Sequence, residues 1–265
     1  MSIKFGLMNH PRENILKEIE LVRKLGFDFV EITMEWPGAS PEILIKNKNK
    51  ILNLLSKFKS KPIAHTWYID LGSSYEHVRK GGISEAKKMI GIASLLKIDL
   101  INFHFYSSGL RPSLVKYRKE ILTNIINSFK EIVRYAKSKK VKVMTENLAA
   151  HSEVTDFNDF KFVIDRVPNL KVHLDIGHAF IQHGMEGVKN YMFTFKDSLA
   201  HIHVSDNDGE EDEHLPLGKG KINFEQVAKW LKQVNYDKTI TFEVFTSKED
   251  AKESMLKFKK MLDAK

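Results

Sequence analysis

The sequence contains no cysteine, which excludes disulfides and thiolate metal sites. Any bound metal must be held by His, Asp, Glu or backbone oxygen. No run approaches the ~18 uninterrupted apolar residues of a membrane-spanning helix. The opening stretch, MSIKFGLMNHPREN, lacks the apolar core of a signal peptide, so a cytoplasmic protein without a membrane partner is expected. The turn after the first apolar run, MNHPREN, is not glycine-rich, which argues against a dinucleotide-binding doubly wound sheet. No Gly-, Pro- or Ser-rich linker divides the chain, and residues 1–265 read as one domain. Acidic residues are in the minority, 34 against 42 Lys+Arg, giving a net charge of +8. A basic balance suits a polyanionic partner, but the lysines are dispersed, as in KEILTNIINSFKEIVRYAKSKK, in the manner of a solvated surface. Absent cysteine with plentiful Lys, Glu and Ile also fits a thermophile.

What the sequence does have is one repeated grammar: a short apolar run, a polar loop, then an amphipathic stretch. The runs are IKFGLM from Ile3, DFVEIT from Asp28, KPIAHT from Lys61, LINFHFY from Leu100, VKVMTENL from Val141, LKVHLDIGH from Leu170, LAHIHVSD from Leu199 and TITFEVF from Thr239. Their density of apolar residues suits parallel strands covered on both faces. Between them, Ile15, Ile19, Val22 and Leu25 have helical spacing, with Gly26 as a stop. Ile121, Ile125, Phe129, Ile132 and Val133 mark another helix. Phe224, Val227, Leu231 and Val234 mark a third behind Asn223 as N-cap, and SKEDAKESMLKFKKML closes the chain. Eight strand–helix units in about 250 residues predict an α/β fold of the (β/α)8 TIM-barrel type.

In such a barrel the chemistry sits at the C-terminal ends of the strands, and the unusual polar residues fall there. The third run ends in His65, the fourth in His104 and the fifth in Glu146. The sixth carries Asp175 with His178 just beyond it; the seventh carries His203 and Asp206, followed by Asp212 and His214; the eighth ends in Glu243. A lone histidine or glutamate at a strand end is ordinary. Many carboxylates on one rim repel unless cations or donors neutralise them, and a divalent metal does so while accepting O and N ligands. His201 shares a strand face with His203, and His173 with Asp175, each one layer deeper, so both are expected inside the barrel. Nothing in the spacing assigns His10, His77, His151 or His183.

LDIGHAF (174–180), HVSDND (203–208), DEHLPLGKGKINF (212–224), ENL at Glu146, FEVF around Glu243, INFH (101–104) and AHTWYIDLG (64–72) together resemble the xylose-isomerase-like TIM-barrel superfamily. That group includes sugar isomerases and epimerases, inosose-processing enzymes and the endonuclease IV type of abasic-site nuclease. In the sugar enzymes, the resemblance implies one Zn, Mn, Mg or Co ion held by Glu146, Asp175, His203 and Glu243. Glu146 and Glu243 would then also move the proton, and Glu31, Trp67 and Tyr68 would lie at the substrate, with Trp36 a second candidate for the ring. In the nuclease branch it implies three zinc ions: one on His65, His104 and a shared Glu146, one on Asp175, His203 and Glu243, one on His178, Asp212 and His214. The expected range is therefore one to three ions. EITMEWPGAS stands where the nucleases have an Asn-Gln-Arg stretch, the loop from His203 to Asp212 is shorter, and Gly177 follows the isomerase pattern. Tyr68 counts the other way, since it resembles a nuclease tyrosine that enters DNA. A metal-dependent isomerase or epimerase acting on a sugar or cyclitol is expected, with a DNA-cleaving phosphodiesterase as the alternative. The resemblance also implies a homo-oligomer.

Overall fold

The computed structural model describes residues 3–110, 112–149 and 156–264. Eight parallel strands close into a barrel in sequence order: β1 Lys4–Met8, β2 Phe29–Thr33, β3 Ile63–His65, β4 Leu100–His104, β5 Lys142–Glu146, β6 Lys171–Asp175, β7 Leu199–Val204 and β8 Thr239–Phe242. Around it lie α1 Ile15–Lys24, α2 Pro41–Lys46, α3 Lys48–Leu55, α4 Glu76–Leu95, α5 Arg118–Ser138, α6 Phe157–Ile164, α7 Ile176–Thr194, α8 Phe224–Gln233 and α9 Lys248–Asp263, with a 3-10 turn, Pro112–Tyr117, before α5. This is the predicted (β/α)8 architecture. No helix among the described residues is long and apolar enough to cross a membrane.

The strands are apolar because each is covered twice, by helices outside and by the barrel interior within; all five residues of β2 are buried. Ile19 and Val22 of α1, Ile125, Phe129 and Ile132 of α5, Val227 and Leu231 of α8 and Phe258 of α9 form the outer core with them. The predicted caps recur. Asn14 accepts the amides of Leu16 and Lys17 at the start of α1, and Asn223 accepts that of Gln226 in α8. Gly26 follows α1 at φ +89°, a conformation that only glycine adopts without strain.

Inside the barrel, Phe29, Ile63 and Met144 plug the N-terminal end, packed against Leu100 and Ala200. A Cβ on Gly6 would stand 2.2 Å from the Phe29 ring, so the plug requires glycine there. Polar side chains fill the space above. Register sets their heights: Thr33 pairs with His65, His104 with Glu146, Glu146 with His173, and Asp175 with His203.

Several strands stop earlier than the apolar runs suggest. β3 begins only at Ile63, since Lys61 is exposed and Pro62 has no N–H to give. β4 ends at His104 and β7 at Val204. β8 ends at Phe242, although the Glu243 amide still donates to the Val204 carbonyl at 3.0 Å. β6 runs straight into α7 because Asp175 Oδ1 accepts the His178 amide at 2.6 Å and caps the helix.

Candidate functional site

Glu146, Asp175, His203 and Glu243, from the ends of β5, β6, β7 and β8, each offer one ligand atom, and these four atoms lie within 4.8 Å of one another. His203 Nδ1 is 2.8 Å from Glu243 Oε2, 3.8 Å from Asp175 Oδ2 and 3.9 Å from Glu146 Oε1. All four residues are buried or nearly so. Asp175 feels the crowding most. Burial, opposed by the His178 charge but reinforced by Glu243, Asp212 and Glu146, pushes its carboxyl up to about 6. Its Oδ2 is buried with no hydrogen-bond partner among the described residues.

The histidines of β3 and β4 reach the same carboxylates from the other side. His65 Nε2 donates to Glu146 Oε2 at 3.0 Å, Asn102 Nδ2 donates to the same oxygen at 2.6 Å, and His104 Nε2 stands 3.6 Å from it. Burial opposes ionisation of Glu146, yet His173, His65 and His104 hold it well below the usual carboxylate range. Burial drives His173 itself toward the neutral form, so the direct bonds from His65 and Asn102 are the stronger cause. Burial also pulls His104 down to about 4, against the attraction of Glu146.

A third group stands at the lip. His178 Nδ1 donates to the Asn147 carbonyl at 2.8 Å, which turns Nε2 toward Asp212 Oδ2 at 3.0 Å. His214 Nδ1 donates to the Glu243 carbonyl at 3.1 Å, which turns its Nε2 toward the same Asp212 oxygen at 3.1 Å. Burial disfavours charge on His214, but the bond to Asp212 and the Glu243 carboxylate raise it to about 9.

The loop that delivers Asp212 and His214 is built on Asp206. Its Oδ2 accepts the amides of Gly218 (2.7 Å) and Gly220 (2.9 Å), and its Oδ1 accepts those of Asn207 (3.0 Å) and Ile222 (3.1 Å). Gly218 has φ +83°, and a Cβ on Gly220 would stand 2.2 Å from the Asn207 carbonyl. Asp206 therefore shapes the loop, and its carboxylate is spent on backbone amides.

Above the cluster opens a cavity of about 610 Å³, lined by Asn9, Arg12, Thr33, Glu35, His65, Tyr68, His104, His214, Glu243 and Phe245 among others. Tyr68 stands at its wall, stacked on His104 with ring centroids 4.0 Å apart. Three residues expected at the substrate, Glu31, Trp67 and Trp36, lie outside this lining. Trp67 is partly buried and lines a separate outer cleft with Trp36, Pro41 and Lys88. Glu31 is fully buried beneath the cavity, where it meets His201 and His203. The reason is strand alternation: Glu31 points into the barrel two residues below Thr33, which lines the cavity. His173 and His201 are fully buried in the barrel interior, as expected from the same alternation. His151 lies outside the described residues.

Sequence reasoning passed over Asn102, although a polar amide in the apolar run LINFHFY was a visible signal. It also passed over Asn9, whose side chain exchanges hydrogen bonds with Thr33 (2.8 and 2.9 Å) beside the cavity.

The four converging atoms, three carboxylate oxygens and one imidazole nitrogen, are a donor set suited to a divalent cation, and the partnerless Asp175 Oδ2 is a buried acceptor such an ion satisfies. Among curated proteins, the chain is 32% identical over 191 residues to MJ1614 of Methanocaldococcus jannaschii, covering 71% of this chain and 73% of that one. It is 23% identical over 249 residues to fructoselysine 3-epimerase of Escherichia coli O157:H7, covering 89% and 88%. A solved D-tagatose 3-epimerase-like protein superposes with a TM-score of 0.84 at 26% identity, covering 98% of this chain and 97% of that one. Residues 19–261 match the xylose isomerase-like TIM barrel across all but the first strand, and with the closed barrel and its rim of His, Asp and Glu, the chain belongs to that family.

Proposed function

We propose that the protein is a divalent-metal-dependent epimerase or isomerase of a sugar or cyclitol. The observation that carries this reading is the convergence of Glu146, Asp175, His203 and Glu243, the last of them lining an open cavity large enough for a monosaccharide, with His65 and His104 beside it. Sugar epimerases and isomerases among the relatives support it. When bound, the ion polarises a substrate carbonyl and acidifies the neighbouring C–H. Glu146, from the end of β5, and Glu243, just past β8, would be the two carboxylates that serve that carbon. One carboxylate takes the proton and the other returns one. Return to the same carbon gives epimerisation; return to its neighbour gives aldose–ketose exchange. His65, His104 and His178 orient hydroxyls, and Tyr68 covers a face of the ring.

The test is deuterium incorporation. In heavy water with added Mn2+, the protein should place carbon-bound deuterium into at least one of a panel of ketoses and inososes. Glu146→Gln and Glu243→Gln should each abolish it. Absence of exchange with every member of the panel contradicts the reading.

One observation favours a second reading. His178 and His214 each have Nδ1 tied to a backbone carbonyl and Nε2 aimed at Asp212, the orientation that outer carbonyls impose on metal-ligating histidines. With His65 and His104 on Glu146, that arrangement also suits three zinc ions and phosphodiester hydrolysis. Three zincs per chain, together with cleavage of an abasic duplex, would establish it in place of sugar chemistry.

A further inference from the structure

Glu31 is among the most deeply buried carboxylates of the barrel, and it touches no part of the cavity. One of its oxygens, Oε2, stands 3.0 Å from His201 Nε2 and 3.0 Å from His203 Nε2. Both rings come from β7 and lie on one face of it, two residues apart. Glu31 comes from β2 and reaches them across the barrel interior, since β8 and β1 stand between the two strands in the wall.

The hydrogen-bond chemistry fixes where the Nε2 protons are. A carboxylate oxygen only accepts, so both imidazoles must carry their proton on Nε2. For His201 this makes Nδ1 the acceptor, and the Thr239 hydroxyl stands 2.7 Å away to donate to it. His203 Nδ1 faces Glu243, Asp175 and Glu146; without an ion it too carries a proton, donated to Glu243 Oε2 at 2.8 Å, and a cation would take that proton's place. A histidine can bind a cation only through a nitrogen without a proton, and which nitrogen that is follows from what holds the other.

We propose that Glu31 is a positioning residue for His203: by holding Nε2–H, it fixes the ring angle and the tautomer that presents the Nδ1 lone pair to a cation among Glu146, Asp175 and Glu243. His201 and Thr239 act one step further out, holding Glu31 in place across the barrel. This rests on the reading that those four residues hold a divalent ion, and it gives Glu31 a part in the site without contact with substrate.

The test uses the full-length chain, stripped of metal and titrated with Zn2+ in competition with a chelator. Loss of a histidine's outer partner typically weakens metal binding about 10–100-fold, and Glu31→Gln should do so with stoichiometry unchanged. His201→Phe, which leaves the Glu31–His203 contact in place, should weaken it less. A purely structural role would lower stability without separating the two variants in affinity. A second measurement needs no variant: two-bond 1H–15N correlation spectra of the zinc-loaded wild type should show His203 protonated at Nε2 and coordinated through Nδ1. An unchanged Zn2+ affinity in Glu31→Gln, or His203 coordinated through Nε2, overturns the proposal. A wild-type chain that takes up no Zn2+, while remaining folded by circular dichroism, overturns both the proposal and the metal reading beneath it.

Discussion

The two halves of the barrel differ in what they bring to its centre. Strands β5 to β8 end in the three carboxylates and the imidazole that converge within 4.8 Å. Strands β2 to β4 bring the partners of that cluster: Glu31 on His203, His65 and Asn102 on Glu146, and His104 beside it. The second half thus concentrates negative charge at a buried point, and the first half supplies donors and one counter-oriented carboxylate that fix its geometry. Buried carboxylates survive in one place only when hydrogen-bond donors or cations compensate them. The donors present reach Glu146 well and leave Asp175 poorly served, a shortfall that a cation, on the proposed reading, would fill.

Removing a member of the second half should have the largest effect. On the proposed mechanism, Glu146→Gln and Glu243→Gln keep the shape of the side chain but remove the proposed proton acceptor, and turnover should fall by about 10²–10⁴-fold, the usual scale of acid–base catalysis; initial rates under metal saturation check this. The loop that carries the lip comes next. Asp206→Ala strands three distant amides, those of Gly218, Gly220 and Ile222, together with that of Asn207. Hydrogen bonds to a charged group are each worth about 1.5–3 kcal/mol, so urea denaturation should show a loss of about 3 kcal/mol or more.

A smaller effect lies in pH. His214 is raised from 6.5 to about 9 in the folded protein. Its stabilising contribution is therefore complete below pH 6.5 and is lost as pH rises through 9. Asp175, raised from 3.8 to about 6, also favours the folded state at the lower pH, its share being lost as pH rises from 3.8 through 6. In the lower window that loss is opposed by His104, lowered to about 4, and by the lowered His173, whose shares grow as pH rises toward 6.5. The metal-free protein should therefore lose stability across the upper window, and His214→Ala should reduce that loss in denaturation curves taken at successive pH values. At the N-terminal end of the barrel, far from the cluster, Lys61 and Asp99 form a 2.6 Å ion pair on the surface. Lys61→Ala should change stability by less than about 1 kcal/mol, and thermal melting checks that the sensitivity belongs to the other end.

Much of this layout is legible in the amino-acid sequence. Apolar runs announce parallel strands because both faces of each strand are covered, and period-two alternation places His173 and His201 inside the barrel. Placing His65, Glu146, Asp175, His203 and Glu243 on one rim needs only the rule that such barrels gather their chemistry at one end. The rest depends on contacts across the barrel, which no local pattern encodes. Glu31 reads as a substrate residue in the sequence, because its height relative to Thr33 and the cavity is set by the register with β1 and β3. Asn102 acquires its meaning from Glu146, 44 residues away, and Asp206 from amides up to 16 residues downstream. Trp67 lies beyond the end of β3, where strand alternation no longer aims side chains, and it turns outward to the cleft beside Trp36.

The most direct measurement is anomalous diffraction from crystals of the wild-type protein loaded with Mn2+. The expected result is a peak bonded to carboxylate oxygens of Glu146, Asp175 and Glu243 and to Nδ1 of His203. A fully loaded, folded protein whose manganese lies away from these four side chains would contradict it.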